Sequence, residues 1–233
     1  MKKTLSVILI SVLCLILFAS CAAQTKNEVS GADLENTEIA ETPEIVENTA
    51  KTVNPLPAAI DINNLDNCTA AVSFDKGDVY VDGEGRPQMN ITVFAYDLYD
   101  MVDIAMLNKN DVIVRLGKEV TVTDIERLET GLIHINGGEE NGGFSLISDN
   151  NTVYFEVGMS DAKAYYELGK ITLPVSEDFV YSDESDLDSD AKGYGFDDLI
   201  SDEALFEYGF NPQNTSVVIE NGMVLAMKKV YTP

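Results

Sequence analysis

No tryptophan occurs in the 233-residue chain, and there is a single histidine, His134. A metal centre built from several imidazoles is therefore excluded by count. Aromatic platforms of the kind that hold sugar rings would have to come from the ten tyrosines and nine phenylalanines. Basic residues are also few, 15 Lys and Arg against 40 Asp and Glu, for a net charge of −25. Phosphate backbones are bound by clustered Lys and Arg, so nucleic acid is excluded as a partner and cations are the natural counterparts. Cysteine is scarce: Cys14 and Cys21 lie in or beside an N-terminal apolar run, which leaves Cys68 without a partner for an intramolecular disulfide. No unbroken apolar run reaches the ~20 residues that a membrane-spanning helix requires.

At the N-terminus, Lys2 and Lys3 precede an apolar run from Val7 to Phe18 that only Ser11 interrupts, which is the layout of a secretory signal. The junction Phe18-Ala19-Ser20-Cys21 resembles the bacterial lipobox, with Phe18 where leucine is usual. That resemblance implies cleavage after residue 20, a diacylglyceryl group on Cys21 and attachment to a membrane through the N-terminal lipid. Several acyl chains on one cysteine suffice for stable anchoring where a single chain does not. Without Lys2 and Lys3 the 15 basic residues fall to 13 against the same 40 acids, a net charge of −27 for the exported chain. The expected location is the outer side of a cell membrane.

Three segments are expected: a signal over 1–20, a lipidated cysteine with an acidic stalk over 21–64, and a globular domain over 65–233. The stalk is rich in Glu, Thr, Asn and Pro and has neither an aromatic residue nor a sustained apolar period. As a flexible coil of about 43 residues it would span roughly 35 to 40 Å. From Leu65 onward, short alternating apolar segments are bounded by Gly, Asn and Asp, which predicts strands. They are Thr69–Phe74, Asp78–Val81, Met89–Tyr96, Val112–Leu116, Val120–Ile125, Leu132–Ile135, Thr152–Val157 and Ile171–Leu173. Thr215–Ile219 and Met223–Lys228 flank Asn221-Gly222, a pair suited to a type I′ hairpin turn. Val230–Pro233 could complete a closing strand. Helix is predicted only over Leu98–Leu107, Asp161–Leu168 and Asp202–Tyr208. The fold class is thus mainly β, a compact barrel or sandwich of short antiparallel strands with one to three short helices. Stretches such as FDKGDVYVD, AYDLYDMVDI, INGGEENGGFSL and LPVSEDFVY make residues 74–181 similar to a group of uncharacterised lipoproteins of anaerobic gut bacteria. The resemblance implies the same address and fold, and carries no site with it.

The richest candidate for chemistry is the acidic stretch 182–198. Reading Asp186 as position 1 of a calcium loop puts Asp188 at 3, Asp190 at 5, the Lys192 carbonyl at 7 and Asp197 at 12. Ala191 stands at position 6, where such loops need glycine for a sharp turn, so a solvated acidic connector is the competing reading. His134 lies between two isoleucines on a strand and is expected to be exposed or hydrogen-bonded; no G-x-S-x-G elbow accompanies it. Cys68, opening the first strand, reads as a small buried hydrophobe. Tyr96 with Tyr99, or Tyr165 with Tyr166, could form a binding face or simply pack. Gly137-Gly138 and Gly142-Gly143 bracket acids, not the lysine a phosphate cradle needs. The function these features support is a membrane-tethered binding or structural β module without catalytic residues or an obligate cofactor, its partner on the cell surface or wall. The alternatives are a calcium-stabilised adhesion or wall-binding module and a hydrolase using a carboxylate pair.

Overall fold

The computed structural model describes residues 50–232 apart from 59, 151 and 159–161. The signal, Cys21 and most of the expected stalk lie outside the described residues. Along the chain come β1 (Thr52–Val53), β2 (Cys68–Ser73), β3 (Val79–Val81), β4 (Pro87–Ala95) and β5 (Leu98–Asp100). A one-turn helix α1 (Met101–Ala105) leads into β6 (Val112–Arg115), β7 (Lys118–Thr121), β8 (Ile125–Arg127) and β9 (Ile133–Ile135). Then follow β10 (Phe144–Asp149), β11 (Val153–Val157), the 19-residue β12 (Tyr166–Glu184) and β13 (Lys192–Tyr194). Helix α2 (Phe196–Ser201), β14 (Thr215–Glu220) and β15 (Met223–Val230) complete the fold.

Five of these strands close on themselves. β2 pairs with β4, β4 with β12, β15 with β14 and β14 with β2, all antiparallel, while β12 and β15 run parallel. The chain is mainly β, and its centre is a five-stranded barrel. In barrel order the strands read first-second-third-fifth-fourth, with one parallel pair and a helix between third and fourth, the Greek-key connectivity of an OB-fold. Such a barrel hosts many functions and assigns none by itself. Period-2 alternation fills it: Met89, Ile91 and Val93 of β4, Leu173 and Tyr181 of β12, Val217 and Ile219 of β14, and Met227 of β15 are buried in one cluster.

The 19-residue β12 makes closure possible. Its first half lies against β4, from Tyr166 opposite Ala95 to Pro174 opposite Gln88. A bulge between Val175 and Val180 then turns it, and its second half lies beside β15, with Tyr181 opposite Met227. Sequence alternation marks only Ile171–Leu173 of this strand. The helix expected over Asp161–Leu168 is not present where the chain is described, because ladder hydrogen bonds to β4 claim its backbone from Tyr166 on. Helix is also shorter than expected elsewhere. Leu98–Asp100 pairs with β11, so α1 starts only at Met101, capped by the Asp100 carboxylate, which accepts from the Val102 and Asp103 amides. Glu203–Phe206 is a 3₁₀ turn, and α2 just before it was not foreseen. The terminal hairpin is as expected: Glu220 faces Met223, and Asn221 and Gly222 take φ of 52° and 70°, the left-handed values of a type I′ turn. β15 runs on to Val230 beside β12, whereas Tyr231 and Thr232 are not strand.

Between β4 and β12, joined by β1 from ahead of the barrel, the chain builds a second lobe with its own core, including Tyr99, Ile104, Ile113, Ile135 and Leu146. It holds an antiparallel sheet in the order β5-β11-β10-β9-β8 and a small sheet β1-β6-β7. Val53 of β1 is 1% exposed in that core, paired in parallel with Ile113. Packed structure therefore begins before Leu65, within the span expected to be stalk: an apolar residue that finds a strand partner and a dry core outweighs the polar composition around it.

Two tyrosines tie both cores to pH. Burial, with the Asp97 charge next in effect, pushes the Tyr99 hydroxyl far above its ordinary value. Burial and the hydrogen bond to Asp183 do the same to Tyr181. Folded pKa values above the unfolded ones mean that stability is complete below about pH 10 and declines above it, as unfolded tyrosines ionise and folded ones do not. Each group is expected to remove about 1 kcal/mol per pH unit beyond that point. Urea unfolding at about pH 9 and about pH 11 measures it, and Tyr99→Phe is expected to flatten the slope.

Candidate functional site

The five residues of the calcium-loop reading are divided among three elements. β12 and β13 form a hairpin with Asp183 opposite Lys192, so Lys192 belongs to a strand. Asp186 sits in the connecting turn, where its carboxylate accepts from the Asp188 amide (3.0 Å) and the Ser189 hydroxyl (2.7 Å). Those bonds, the Ser189 one first, hold its carboxyl below the usual range. Asp188 and Asp190 are exposed in the same turn, and Asp197 is exposed in the first turn of α2. With Ala191 unable to supply a glycine turn, the chain closes as a hairpin. Among the described residues no three Asp, Glu, His or Cys side chains converge to hold a metal ion.

His134 and Cys68 are far apart in role. His134 lies on β9 between the buried Ile133 and Ile135, and its Nδ1 is 2.8 Å from the Ser145 hydroxyl. Cys68 begins β2, half-buried, and burial followed by the Asp66 charge pushes its thiol above the ordinary value, so it stays protonated.

The tyrosines mark a cleft of about 490 Å³ on the outer face of the barrel. Its floor is Thr69 and Ala71 of β2, Phe94 of β4 and Ser216 of β14, the outward positions of three adjacent strands. Tyr96, Asp97 and Leu98, where the chain leaves the barrel for the second lobe, form one wall. Tyr165 and Tyr166, where it returns, form another, and Leu56, Pro57 and Ile60 close the side. Tyr96 meets Tyr165 edge to face at 5.4 Å and Phe155 at 5.9 Å. Lys163 lies 4.2 Å from the Tyr96 ring centroid and 5.1 Å from that of Phe155, and its ammonium donates to the Tyr96 oxygen at 2.9 Å. Asp97, 7% exposed, is the carboxylate of this cleft and is already engaged: its Oδ2 accepts from the Leu116 amide at 2.7 Å.

Of the tyrosine pairs singled out in the sequence, Tyr96, Tyr165 and Tyr166 thus share one cleft, and Tyr99 is core, its hydroxyl donating to the Val114 carbonyl at 3.0 Å. Lys163 and Asp97 were not foreseen. Their only signal was adjacency to aromatic residues at the two ends of what proves to be an insertion. A scan of family models, a search of curated proteins and a search of solved structures each return no match for this chain.

Proposed function

We propose that this chain is a lipid-tethered, extracytoplasmic binding module, held to a membrane through Cys21 and acting on a partner at the cell surface or wall without catalysing a reaction. The observation that carries the binding role is the cleft between barrel and insertion: apolar and aromatic walls, one ammonium held against rings, and one carboxylate already committed to the backbone. Ligand sites have this make-up of mostly apolar lining with a few placed polar groups. The address rests on the signal layout and the lipobox-like junction at Cys21.

Metabolic labelling with a radioactive fatty acid tests the tether. The chain is expected to take up label and sediment with membranes, and Cys21→Ala is expected to lose both. Membrane retention of an unlabelled Cys21→Ala chain would mean an uncleaved signal anchor instead. Co-sedimentation with purified cell walls tests the cleft. Ala71→Phe places a ring over its floor and is expected to abolish retention without lowering the melting temperature. Equal retention of both forms would remove the cleft from the reading.

A further inference from the structure

The mouth of the barrel carries charge where its interior carries apolar side chains. On β15 Val224 and Met227 are buried in the core, and two residues beyond Met227 comes Lys229, only 2% exposed. Its strand neighbours are Asp183 of β12 on one side and Thr215 of β14 on the other. The Lys229 ammonium lies 4.5 Å from the Phe210 ring centroid. Among the described residues it has neither an ion pair nor a hydrogen-bond acceptor.

Burying an ammonium without a partner is costly, and the cost acts on its pKa. Burial holds the Lys229 pKa below that of an ordinary lysine, and Asp183 offsets this only in part. Asp183 is otherwise occupied, accepting from the Tyr181 hydroxyl at 2.9 Å and the Ser185 amide at 3.0 Å. No fully sealed side-chain nitrogen or oxygen among the described residues lacks a partner. The ammonium, which has none, therefore touches open space.

That space is two adjoining cavities of about 280 and 540 Å³, both lined by Lys229, Ser185, Asp186 and Tyr208. Asp183 and Asp202 add carboxylates and Lys192 an ammonium to the smaller one, and Asn211 and Asn214 add amides to the larger. Barrel mouths are common ligand sites, and at this size the smaller cavity suits a molecule of few heavy atoms. Charge narrows its chemistry. Three carboxylates and two ammoniums, Lys192 and Lys229, line the smaller cavity of a chain of net charge −25, so a simple anion meets carboxylates and a simple cation meets Lys229 at the floor. A molecule bearing both charges satisfies both ends.

We propose that the barrel mouth binds an amino-acid zwitterion, its carboxylate on Lys229 and its ammonium against Asp202, whose second carboxylate oxygen is not engaged among the described residues. The source is either a free amino acid or the zwitterionic tip of a peptide side chain. This site is separate from the cleft and from the lipid tether, and does not depend on either reading.

The test is calorimetric titration of the full chain in detergent with alanine, with Nε-acetyl-lysine, and with acetate and ethylammonium as the two halves of the zwitterion. Saturable binding of one or both zwitterions is expected, tighter than either half by on the order of tenfold or more. Preference for alanine assigns a free amino acid; preference for Nε-acetyl-lysine assigns a peptide-borne one. Lys229→Met keeps an apolar stem over Phe210 and removes a desolvated charge, so it is expected to melt no lower than the parent chain yet bind on the order of thirtyfold more weakly. Ala71→Phe is expected to bind as the parent does. Absence of saturable binding by either zwitterion, equal binding by acetate, or unchanged binding in folded Lys229→Met would each overturn the proposal.

Discussion

Gly143→Ala is expected to destabilise the second lobe by about 3 kcal/mol or more, the upper range for steric insertion into a packed site. A methyl group at this position would stand 2.0 Å from the Ile135 carbonyl oxygen and 2.6 Å from that of Asn136. Both obstacles are backbone atoms, so no side-chain rotation relieves them. The turn that brings them close cannot relax easily either. Asn136, Gly137, Gly138 and Gly142 all take positive φ, and the Gly143 amide donates back to the Gly138 carbonyl at 2.8 Å. Immediately beyond, Phe144 pairs with Ile135, so the clash falls where β9 and β10 begin their ladder. Gly83→Ala serves as the control: its Cβ would meet nothing within 4 Å and its φ is ordinary, so a change within about 0.5 kcal/mol is expected there. Hydrogen exchange locates the effect. Amides of Phe144 and Leu146 should lose protection while those of Ile91 and Ile219 in the barrel keep it. A Gly143→Ala chain that melts with the parent would show that β9 and β10 do not approach as described.

Arg115→Met is expected to cost about 2 kcal/mol, below the usual penalty for breaking a buried pair because the arginine is partly in water. Arg115 at the end of β6 meets Glu156 on β11 through two bonds of 2.6 Å each, joining the lobe's small sheet to its large one. The side chains are 34% and 8% exposed, so the carboxylate is the buried partner. The guanidinium also covers the Phe144 ring at 5.0 Å, and the Glu156 bonds raise its pKa beyond the ordinary arginine value. Removing it strands a charge in a dry site. Removing both charges strands nothing, so Arg115→Met with Glu156→Leu is expected to recover most of the loss. A double-mutant cycle in urea reads the coupling directly. Equal losses in the single and double variants would mean that the pair contributes packing alone.

The mainly β class and most strand positions were legible because their causes are local. Alternation of period 2 and the turn preferences of Gly and Asn act over a few residues, which is why the hairpin of β14 and β15 could be placed from Asn221-Gly222 alone. The acidic stretch 182–198 was legible as composition only. Whether its carboxylates converge depends on pairing between Asp183 and Lys192, and that pairing makes a hairpin.

What the tertiary structure decided rests on contacts distant along the chain. The length of β12 is hidden by Gly169 and by the bulge before Val180, and appears only when β4 and β15 are in place beside it. The insertion splits the tyrosines, sending Tyr99 into a core and Tyr96 to a cleft. Lys228 and Lys229 are adjacent and chemically identical in the sequence. Lys228 is exposed and pairs with Glu184, whereas Lys229 is buried in the barrel mouth. The sequence by itself determined an acidic, tryptophan-free, mainly β chain. Which of two neighbouring lysines faces the interior is a matter of ladder register, which the closed barrel sets and neither side chain encodes.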